Sequence, residues 1–185
     1  MKSKAKAITL VGILAAMSSV LYIFPTFPIF PVFPWLEIDF ADAPALLASV
    51  TVSPLAGGAI VLIRNTVHVM FGSSTGTVGE LSNFMISFMF VVSAGFITFL
   101  KSKNRLPSVR QVVFALPLAA AVQVTVATVV NKYIMIPLYG ISFEQGPGYY
   151  IFYGVIPFNL IKVSINCIIF VLIYRFVVPR IKKYL

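Results

Sequence analysis

The sequence predicts an all-α integral membrane protein with six transmembrane helices, both termini in the cytoplasm, and a Phe/Pro-rich extracellular loop between the first two helices. Of 185 residues, 59% are hydrophobic and 10% are charged. A soluble domain of this size has too much surface for its volume to bury so many apolar side chains. Spans of about 20 residues leave room for roughly six helices and short loops. We therefore expect a single membrane domain over residues 1–185.

The six predicted helices are separated by short breaks. They cover Ala7–Phe24, Asp42–Val52, Pro54–Phe71, Glu80–Leu100, Gln111–Pro137 and Gly154–Val178. The first helix follows three lysines and so resembles a signal peptide. No small-residue cleavage region comes after it, and we expect this helix to be retained.

The breaks are defined by proline, glycine and charge. Pro25–Pro34 has a proline at every third position, and proline lacks the N–H that a helix interior needs. Ser53 and Pro54 separate the second helix from the third. Glycine-rich Gly72–Gly79 predicts a turn, and polar Lys101–Arg110 a loop. The segment Tyr139–Tyr153, with Gly-Pro-Gly at its middle, predicts another loop.

The distribution of charge gives the orientation. With six spans, the N-terminus, the loop after the fourth helix and the C-terminus share one side. That side carries Lys2, Lys4, Lys6, Lys101, Lys103, Arg105, Arg110, Arg180, Lys182 and Lys183, whereas all five acids lie on or near the other. The positive-inside rule places the basic side in the cytoplasm. The net charge of +9 is thus explained by orientation, and we expect no nucleic-acid partner.

Polar side chains recur near the outer ends of four predicted helices. They are Arg64, Asn65 and His68; Glu80, Asn83 and Ser87; Thr128, Asn131 and Lys132; and Asn159, Lys162 and Asn166. Lipid cannot satisfy such groups, so they must face one another or a cavity. One such stripe can simply hold two helices together. Four stripes at a similar depth favour a pocket.

Aromatic residues mark a possible wall of that pocket. Phe24, Phe27, Phe30, Phe33 and Trp35 recur nearly every third residue in the stiff Phe/Pro segment. Such rings either cover a planar ligand or dip into the membrane interface.

Motifs for an enzyme or a nucleotide site are missing from the sequence. The glycine-rich turn lacks the GxxxxGK[ST] pattern, and the chain has no Gly-x-Ser-x-Gly elbow. One histidine and one cysteine do not make a metal cluster. We expect no metal and no cofactor, and an intramembrane enzyme is the weakest alternative.

The first helix carries a patch of small residues. Gly12 and Ala16, and Ala15 and Ser19, form two small-xxx-small pairs, which let another helix approach closely in lipid. The patch serves either docking of a partner or packing against the chain's own helices.

Four stretches resemble a known family. They are Leu36–Ala45, with its Asp-Phe-x-Asp-x-Pro element; Ser53–Gly58; Ile63–His68; and Thr75–Phe84, with its Gly-Glu-Leu-x-Asn element. Together they resemble the riboflavin-binding S components of energy-coupling-factor (ECF) transporters. The resemblance implies capture of riboflavin outside the cell. It also implies docking of the first helix on a transmembrane T subunit that two cytoplasmic ATP-binding cassette ATPases drive. By resemblance, Asn131 and Lys162 contact the flavin, with Glu80 and Asn83 nearby.

These arguments define the predicted function, a high-affinity riboflavin-binding subunit in a bacterial plasma membrane. The predicted binding residues are Lys162, Asn131, Glu80, Asn83, Asn159, Thr77, Asp39 and Trp35. Lysine and amide groups would donate to the acceptor-rich flavin edge, and the groups around Glu80 and Thr77 would meet hydroxyls. The alternatives are an S component for another vitamin and a self-contained secondary transporter. Vesicle uptake without ATPases distinguishes the transporter.

Overall fold

The computed structural model describes residues 4–71, 76–102, 106–140 and 144–181. Its elements in chain order are α1 (Lys4–Ile23), β1 (Phe27–Pro28), β2 (Glu37–Ile38), α2 (Asp42–Thr51), α3 (Pro54–Phe71), α4 (Gly76–Ser102), α5 (Val109–Val130), the π-helical segment π1 (Asn131–Met135), α6 (Ile136–Tyr139), α7 (Pro147–Tyr149), the π-helical segment π2 (Tyr150–Val155) and α8 (Ile156–Ile181). The predicted all-helical membrane fold is confirmed.

Within the described ranges, five helical runs are long and apolar enough to cross a membrane. They are Lys4–Ile23, Pro54–Phe71, Gly76–Leu100, Val109–Tyr139 and Pro147–Arg180. The remaining predicted span is α2, which has 10 residues. At 1.5 Å per residue it is about 15 Å long, half of the hydrocarbon thickness of about 30 Å. Alone, α2 is too short to cross.

The α2 helix is enclosed by protein. Every residue from Asp42 to Val50 is buried, and α2 contacts α1, α3, α4 and α8. Two glycines allow close approach around Ser49: a Cβ at Gly57 would lie 2.5 Å from the Ser49 Cβ, and a Cβ at Gly95 would overlap the Ser49 hydroxyl. That hydroxyl donates to the Val91 carbonyl, 2.7 Å away.

The predicted breaks need two corrections. The helix after the glycine-rich turn begins at Gly76, not at Glu80, and residues 72–75 of that turn lie outside the described residues. The predicted loop Tyr139–Tyr153 is helical from Pro147, because proline is favourable in the first helical turn. Among the predicted cytoplasmic charges, Lys2, Lys103, Arg105, Lys182 and Lys183 also lie outside the described residues.

The prolines of the Phe/Pro segment predict an extended form, but the segment contains turns, with Phe33 N–H bonded to the Phe30 carbonyl and Leu36 N–H to the Phe33 carbonyl, and it folds back on itself. Strands β1 and β2 pair antiparallel, with Phe27 opposite Ile38 and Pro28 opposite Glu37. Phe33 lies between the two strands in the sequence. Its side chain is buried and packs edge-on to Tyr150, with ring centroids 5.2 Å apart. This packing fixes the segment against the run that leads into α8.

Two sets of contacts identify the ends of the bundle. At one end the Tyr22 hydroxyl and His68 both meet the Glu80 carboxylate, 2.8 Å away in each case. At the other, the Tyr174 hydroxyl donates to the Pro107 carbonyl at 2.6 Å. We call these the Glu80 end and the Pro107 end.

Candidate functional site

A cavity of about 400 Å³ opens at the Glu80 end. It is lined by α1, the residues between α1 and α2, α3, α4, α5, π1, α6, π2 and α8. Its lining includes Tyr22, Trp35, Glu37, Asp39, His68, Glu80, Asn83, Gln123, Asn131, Tyr139, Tyr150, Phe158, Asn159 and Lys162. The volume falls within the range of about 300–1,000 Å³ that is usual for small-molecule sites.

A buried ion pair forms one wall of the cavity. Lys162 Nζ lies 2.6 Å from Asp39 Oδ2, and the two side chains are 7% and 2% exposed. The other carboxylate oxygen of Asp39 accepts from the Ala41 N–H at 2.9 Å. Asn166, one helical turn beyond Lys162, donates to the Asp39 carbonyl at 3.0 Å. The lysine and the carboxylate are therefore held where a ligand can reach both.

Another part of the cavity lining is a cluster around Glu80. Its carboxylate accepts from the Tyr22 hydroxyl and pairs with His68 Nδ1, and Asn83 Nδ2 donates to the same Tyr22 hydroxyl. The Tyr22 and His68 rings pack with centroids 4.6 Å apart. The cluster presents carboxylate, amide and imidazole groups that suit ligand hydroxyls.

A chain of hydrogen bonds joins the Phe/Pro segment to π1. Trp35 Nε1 donates to the Tyr150 hydroxyl at 3.1 Å, and that hydroxyl donates to Asn131 Oδ1 at 3.2 Å. The Asn131 amide also donates to the Ala127 carbonyl. The polar ends of two aromatic rings and one amide thus sit together at the cavity surface.

A pair of amide side chains joins α5 to α8 at the cavity. Gln123 Nε2 donates to Asn159 Oδ1 at 3.5 Å. The Gln123 Oε1 atom is buried and has no hydrogen-bond partner within the described ranges. A buried carbonyl oxygen without a donor costs about 1–3 kcal/mol, so a ligand N–H would be favourable here.

Seven of the eight predicted binding residues line this cavity: Lys162, Asn131, Glu80, Asn83, Asn159, Asp39 and Trp35. The eighth, Thr77, does not. The start of α4 at Gly76 puts Thr77 in the first helical turn with an exposed side chain. Their roles in binding stay predictions.

Some residues of the four polar stripes line the cavity, and others only connect helices. His68, Glu80, Asn83, Asn131, Asn159 and Lys162 line the cavity. Arg64, by contrast, is fully buried and pairs with Asp42 at 2.6 Å, which ties α3 to α2. Lys132 is exposed and lies 5.1 Å from the centroid of its neighbour Tyr133. Of the five predicted aromatic wall residues, Trp35 alone lines the cavity.

The predicted patch on the first helix is not one surface. Gly12 and Ala16 are exposed, whereas Ala15 is 5% and Ser19 9% exposed. Three residues turn a helix by about 300°, so the second pair is rotated by about 60° toward the protein. Only Gly12 and Ala16 remain available to a partner.

Several lining residues were not predicted. Tyr150 and Tyr139 were assigned to a loop, and Tyr22 was treated as part of an apolar span. Gln123 could have been found, because it is an isolated amide in an apolar helix eight residues before Asn131, about 80° from it around the helix axis and so within one broad face.

The lining suits a small molecule that has hydrogen-bond donors, acceptors and an apolar part. Aromatic rings supply apolar contact, and amides, the ion pair and the Glu80 cluster supply polar contacts. No group of three metal-ligating side chains occurs in the part of the chain that the structure describes.

Comparison with known proteins identifies the relatives of the chain. Residues 6–174 match the family model described as "ECF transporter, substrate-specific component". The riboflavin transporter RibU of Staphylococcus aureus (strain TCH60) is 33% identical over 154 residues, covering 80% of this chain and 78% of that protein. The riboflavin transporter FmnP of Bacillus subtilis (strain 168) is 30% identical over 191 residues, covering 97% and 96%. A solved structure described as "Structure and mechanism of the S component of a bacterial ECF transporter" matches with a TM-score of 0.80 at 32% identity, covering 97% of this chain and 99% of the other.

Proposed function

The chain belongs to the substrate-specific components of ECF transporters and is a multi-pass membrane protein; on this premise we propose that it binds riboflavin in the cavity at the Glu80 end. Proteins of this family are substrate-binding subunits rather than enzymes. Two relatives that are named riboflavin transporters align over most of its length. The substrate assignment rests on them and on the chemistry of the cavity.

The observation that carries the proposal is the match between the cavity and the two parts of riboflavin. The flavin ring is planar, and its polar edge has carbonyl acceptors and one N–H donor. Gln123 Oε1, which lacks a partner among the described residues, accepts from that N–H. Asn131 and Lys162 donate to the carbonyls, and the Trp35 ring covers the apolar part.

The ribityl tail meets the Glu80 cluster. Each hydroxyl of the tail can donate and accept. Glu80 accepts, Asn83 both donates and accepts, and His68 does either. These three side chains line the cavity together, so the polar tail replaces water there while Gln123, Asn131 and Lys162 hold the ring.

The chain crosses the membrane six times. The α2 helix is too short to cross alone, and the non-helical residues just before it complete that crossing. Four residues just before α2 are buried, namely Leu36, Ile38, Asp39 and Ala41, and two of them, Leu36 and Asp39, line the cavity. Non-helical backbone is tolerated at membrane depth where protein surrounds it. The Glu80 end then faces outward, and the Pro107 end with its basic residues faces the cytoplasm of a bacterial plasma membrane.

Energy for uptake comes from partner subunits. The chain has no ATP-binding motif, and its family is defined as the substrate-specific component of a larger transporter. A transmembrane T subunit that works with two ATPases docks on α1. The exposed small residues Gly12 and Ala16 form the contact surface because they allow close helix approach.

Two measurements test this function. Protein purified gently from riboflavin-fed cells should show flavin absorbance, and added riboflavin should lose fluorescence on binding. Colourless protein that does not quench riboflavin would refute the substrate and leave another vitamin as the alternative. Reconstituted alone in vesicles, the chain should not sustain uptake, whereas uptake should appear with the ATPase module. Sustained uptake without ATPases would establish a self-contained transporter instead.

A further inference from the structure

A second concave surface lies on the outside of the bundle, between α5 and α8 and toward the Pro107 end. It is a groove of about 500 Å³ lined almost wholly by apolar side chains. On α5 its walls are Val113, Leu116, Pro117 and Ala120, and on α8 they include Ser164, Cys167, Ile168 and Val171. None of these residues lines the cavity at the Glu80 end, so the groove is separate from the proposed riboflavin site.

The groove exists because small or restricted side chains face each other across the two helices. Ala120, Ser164 and Cys167 fill little of the space between them. Pro117 lies inside α5, where it removes one backbone hydrogen bond and bends the helix locally. Ile168 and Leu172 are 61% and 51% exposed, so the groove opens to the lipid that surrounds the protein.

Two arginines flank the groove where it reaches the Pro107 end. Arg175 follows Val171 by four residues and Leu172 by three, on the same face of α8. Arg110 precedes Val113 by three residues and Pro117 by seven, on the groove face of α5. The Tyr174–Pro107 hydrogen bond of 2.6 Å holds this part of α8 beside the start of α5. The two arginines therefore lie at a similar depth.

Neither arginine is neutralised by an acid. Both side chains are exposed, and neither takes part in an ion pair within the described residues. Arg175 contacts the Phe176 ring at 5.8 Å. The five acids of the sequence are at positions 37, 39, 42, 80 and 144, and none of them is within four residues of either arginine in the sequence. An unpaired cation six residues inside the end of α8 needs a counter-charge from the membrane.

We propose that the α5/α8 groove and the Arg110–Arg175 pair form a binding site for one anionic phospholipid. The arginines hold the phosphate of the headgroup, and one acyl chain lies in the groove. An acyl chain gains little free energy by moving from the surrounding lipid into an apolar groove. The preference for an anionic over a zwitterionic lipid must therefore come from the headgroup. Each basic residue near the surface contributes about 1 kcal/mol toward an anionic lipid, a factor of about 5. Two arginines give an expected preference of about 25-fold over a zwitterionic lipid of the same chain length.

The test uses the full chain in vesicles of equal parts phosphatidylglycerol and phosphatidylcholine. A tryptophan is introduced at groove position Ile168 (Ile168→Trp) in a Trp35→Phe background. Its quenching is measured with the bromine-labelled chain on one lipid or on the other. Bromine on phosphatidylglycerol should quench more strongly, with the preference of about 25-fold. Equal quenching by the two lipids would overturn the proposal.

Variants separate the groove site from general surface charge. Arg110→Gln with Arg175→Gln should reduce the preference to about 1. Arg180→Gln is the matched control, because Arg180 is on the same helix end but about 140° around it from Arg175. It should leave the preference nearly unchanged. An equal loss in the control variant would show that only net charge matters and would refute the site.

Two further measurements use the tryptophan reporter with both arginines in place. Raising the salt concentration should weaken its preference for the anionic lipid, because an exposed headgroup contact is screened. Inorganic phosphate should not remove the preference, since it lacks the acyl chain; removal would show a free-anion site instead. Riboflavin binding, measured on the Arg110→Gln/Arg175→Gln variant with Trp35 and Ile168 retained, should be unchanged, so failure of the riboflavin assignment and failure of the lipid site remain distinguishable.

Discussion

Replacing Lys162 with methionine is the sharpest test of the cavity. The substitution keeps side-chain length and removes the charge and all three donors. Lys162 is 2.6 Å from Asp39 and nearly buried with it. In the proposed complex, a flavin carbonyl loses its donor, which costs about 1–3 kcal/mol. We therefore expect riboflavin affinity to fall by about 5- to 150-fold.

The same substitution should also destabilise the protein. Breaking a buried ion pair by removing one partner costs about 3–5 kcal/mol, and Asp39 would keep only its 2.9 Å hydrogen bond from the Ala41 N–H on Oδ1. The double variant Asp39→Asn with Lys162→Met removes the unpaired charge as well. Its thermal stability in detergent should recover most of the loss, whereas its affinity for riboflavin should not.

The assay combines equilibrium fluorescence quenching by titration with unfolding followed by circular dichroism. Lys132→Met is the matched control, because Lys132 is exposed, next to Asn131 in sequence, and outside the cavity lining. It should change neither affinity nor stability. If the double variant binds like the wild type, Lys162 acts only by balancing Asp39, and the proposed donor role is wrong. Equal losses in the Lys132 and Lys162 variants would defeat the cavity assignment altogether.

Three other predictions concern ligand charge, the α1 surface and the buried pair beneath the cavity. The cavity lining has three carboxylates but only one lysine and one histidine. A phosphate on the ribityl tail should therefore weaken binding about tenfold or more through like-charge repulsion. Equal affinities for the two ligands in competition titrations would contradict this. Ala16→Trp should abolish uptake in cells and preserve riboflavin binding by the purified subunit. Ala15→Trp should instead lower the stability of the protein, because the Ala15 side chain is buried. Identical behaviour of the two variants would contradict a docking face at Gly12 and Ala16. Arg64→Met should destabilise the protein by about 3–5 kcal/mol by leaving Asp42 buried without its partner, with Arg64→Met/Asp42→Asn recovering much of it in thermal unfolding; an unaltered melting temperature in Arg64→Met would refute the structural role.

The sequence was most informative where polar groups interrupt apolar helices. Asn131, Asn159 and Lys162 are costly in lipid, so their placement away from lipid follows from solvation alone. The pairing of Lys162 with Asp39 could not be predicted in the same way. These residues lie far apart in sequence, and no local period relates Asp39, just before α2, to a residue in α8.

Local signals failed where proline and glycine have two uses. Gly-Pro-Gly at 146–148 indicated a loop, yet Gly146 has a φ of +81° and Pro147 begins a helix. Tyr150 was missed for this reason. Small residues on α1 showed that a helix can approach closely, but they do not tell whether the neighbour is internal or foreign. Burial decides it: Ala15 faces the protein and Ala16 faces outward.

The enclosure of α2 has a consequence for the order in which the chain can be completed during synthesis. One of the helices that cover α2 is α8, which leaves the ribosome roughly 100 residues later, or about 5–20 s at usual elongation rates. Until then part of α2 has no protein cover. Its acid, Asp42, already has a counter-charge, because Arg64 arrives in the next helix, 22 residues on. We infer that α2 and α3 enter the membrane as a neutralised hairpin that waits for the C-terminal helix to close over it.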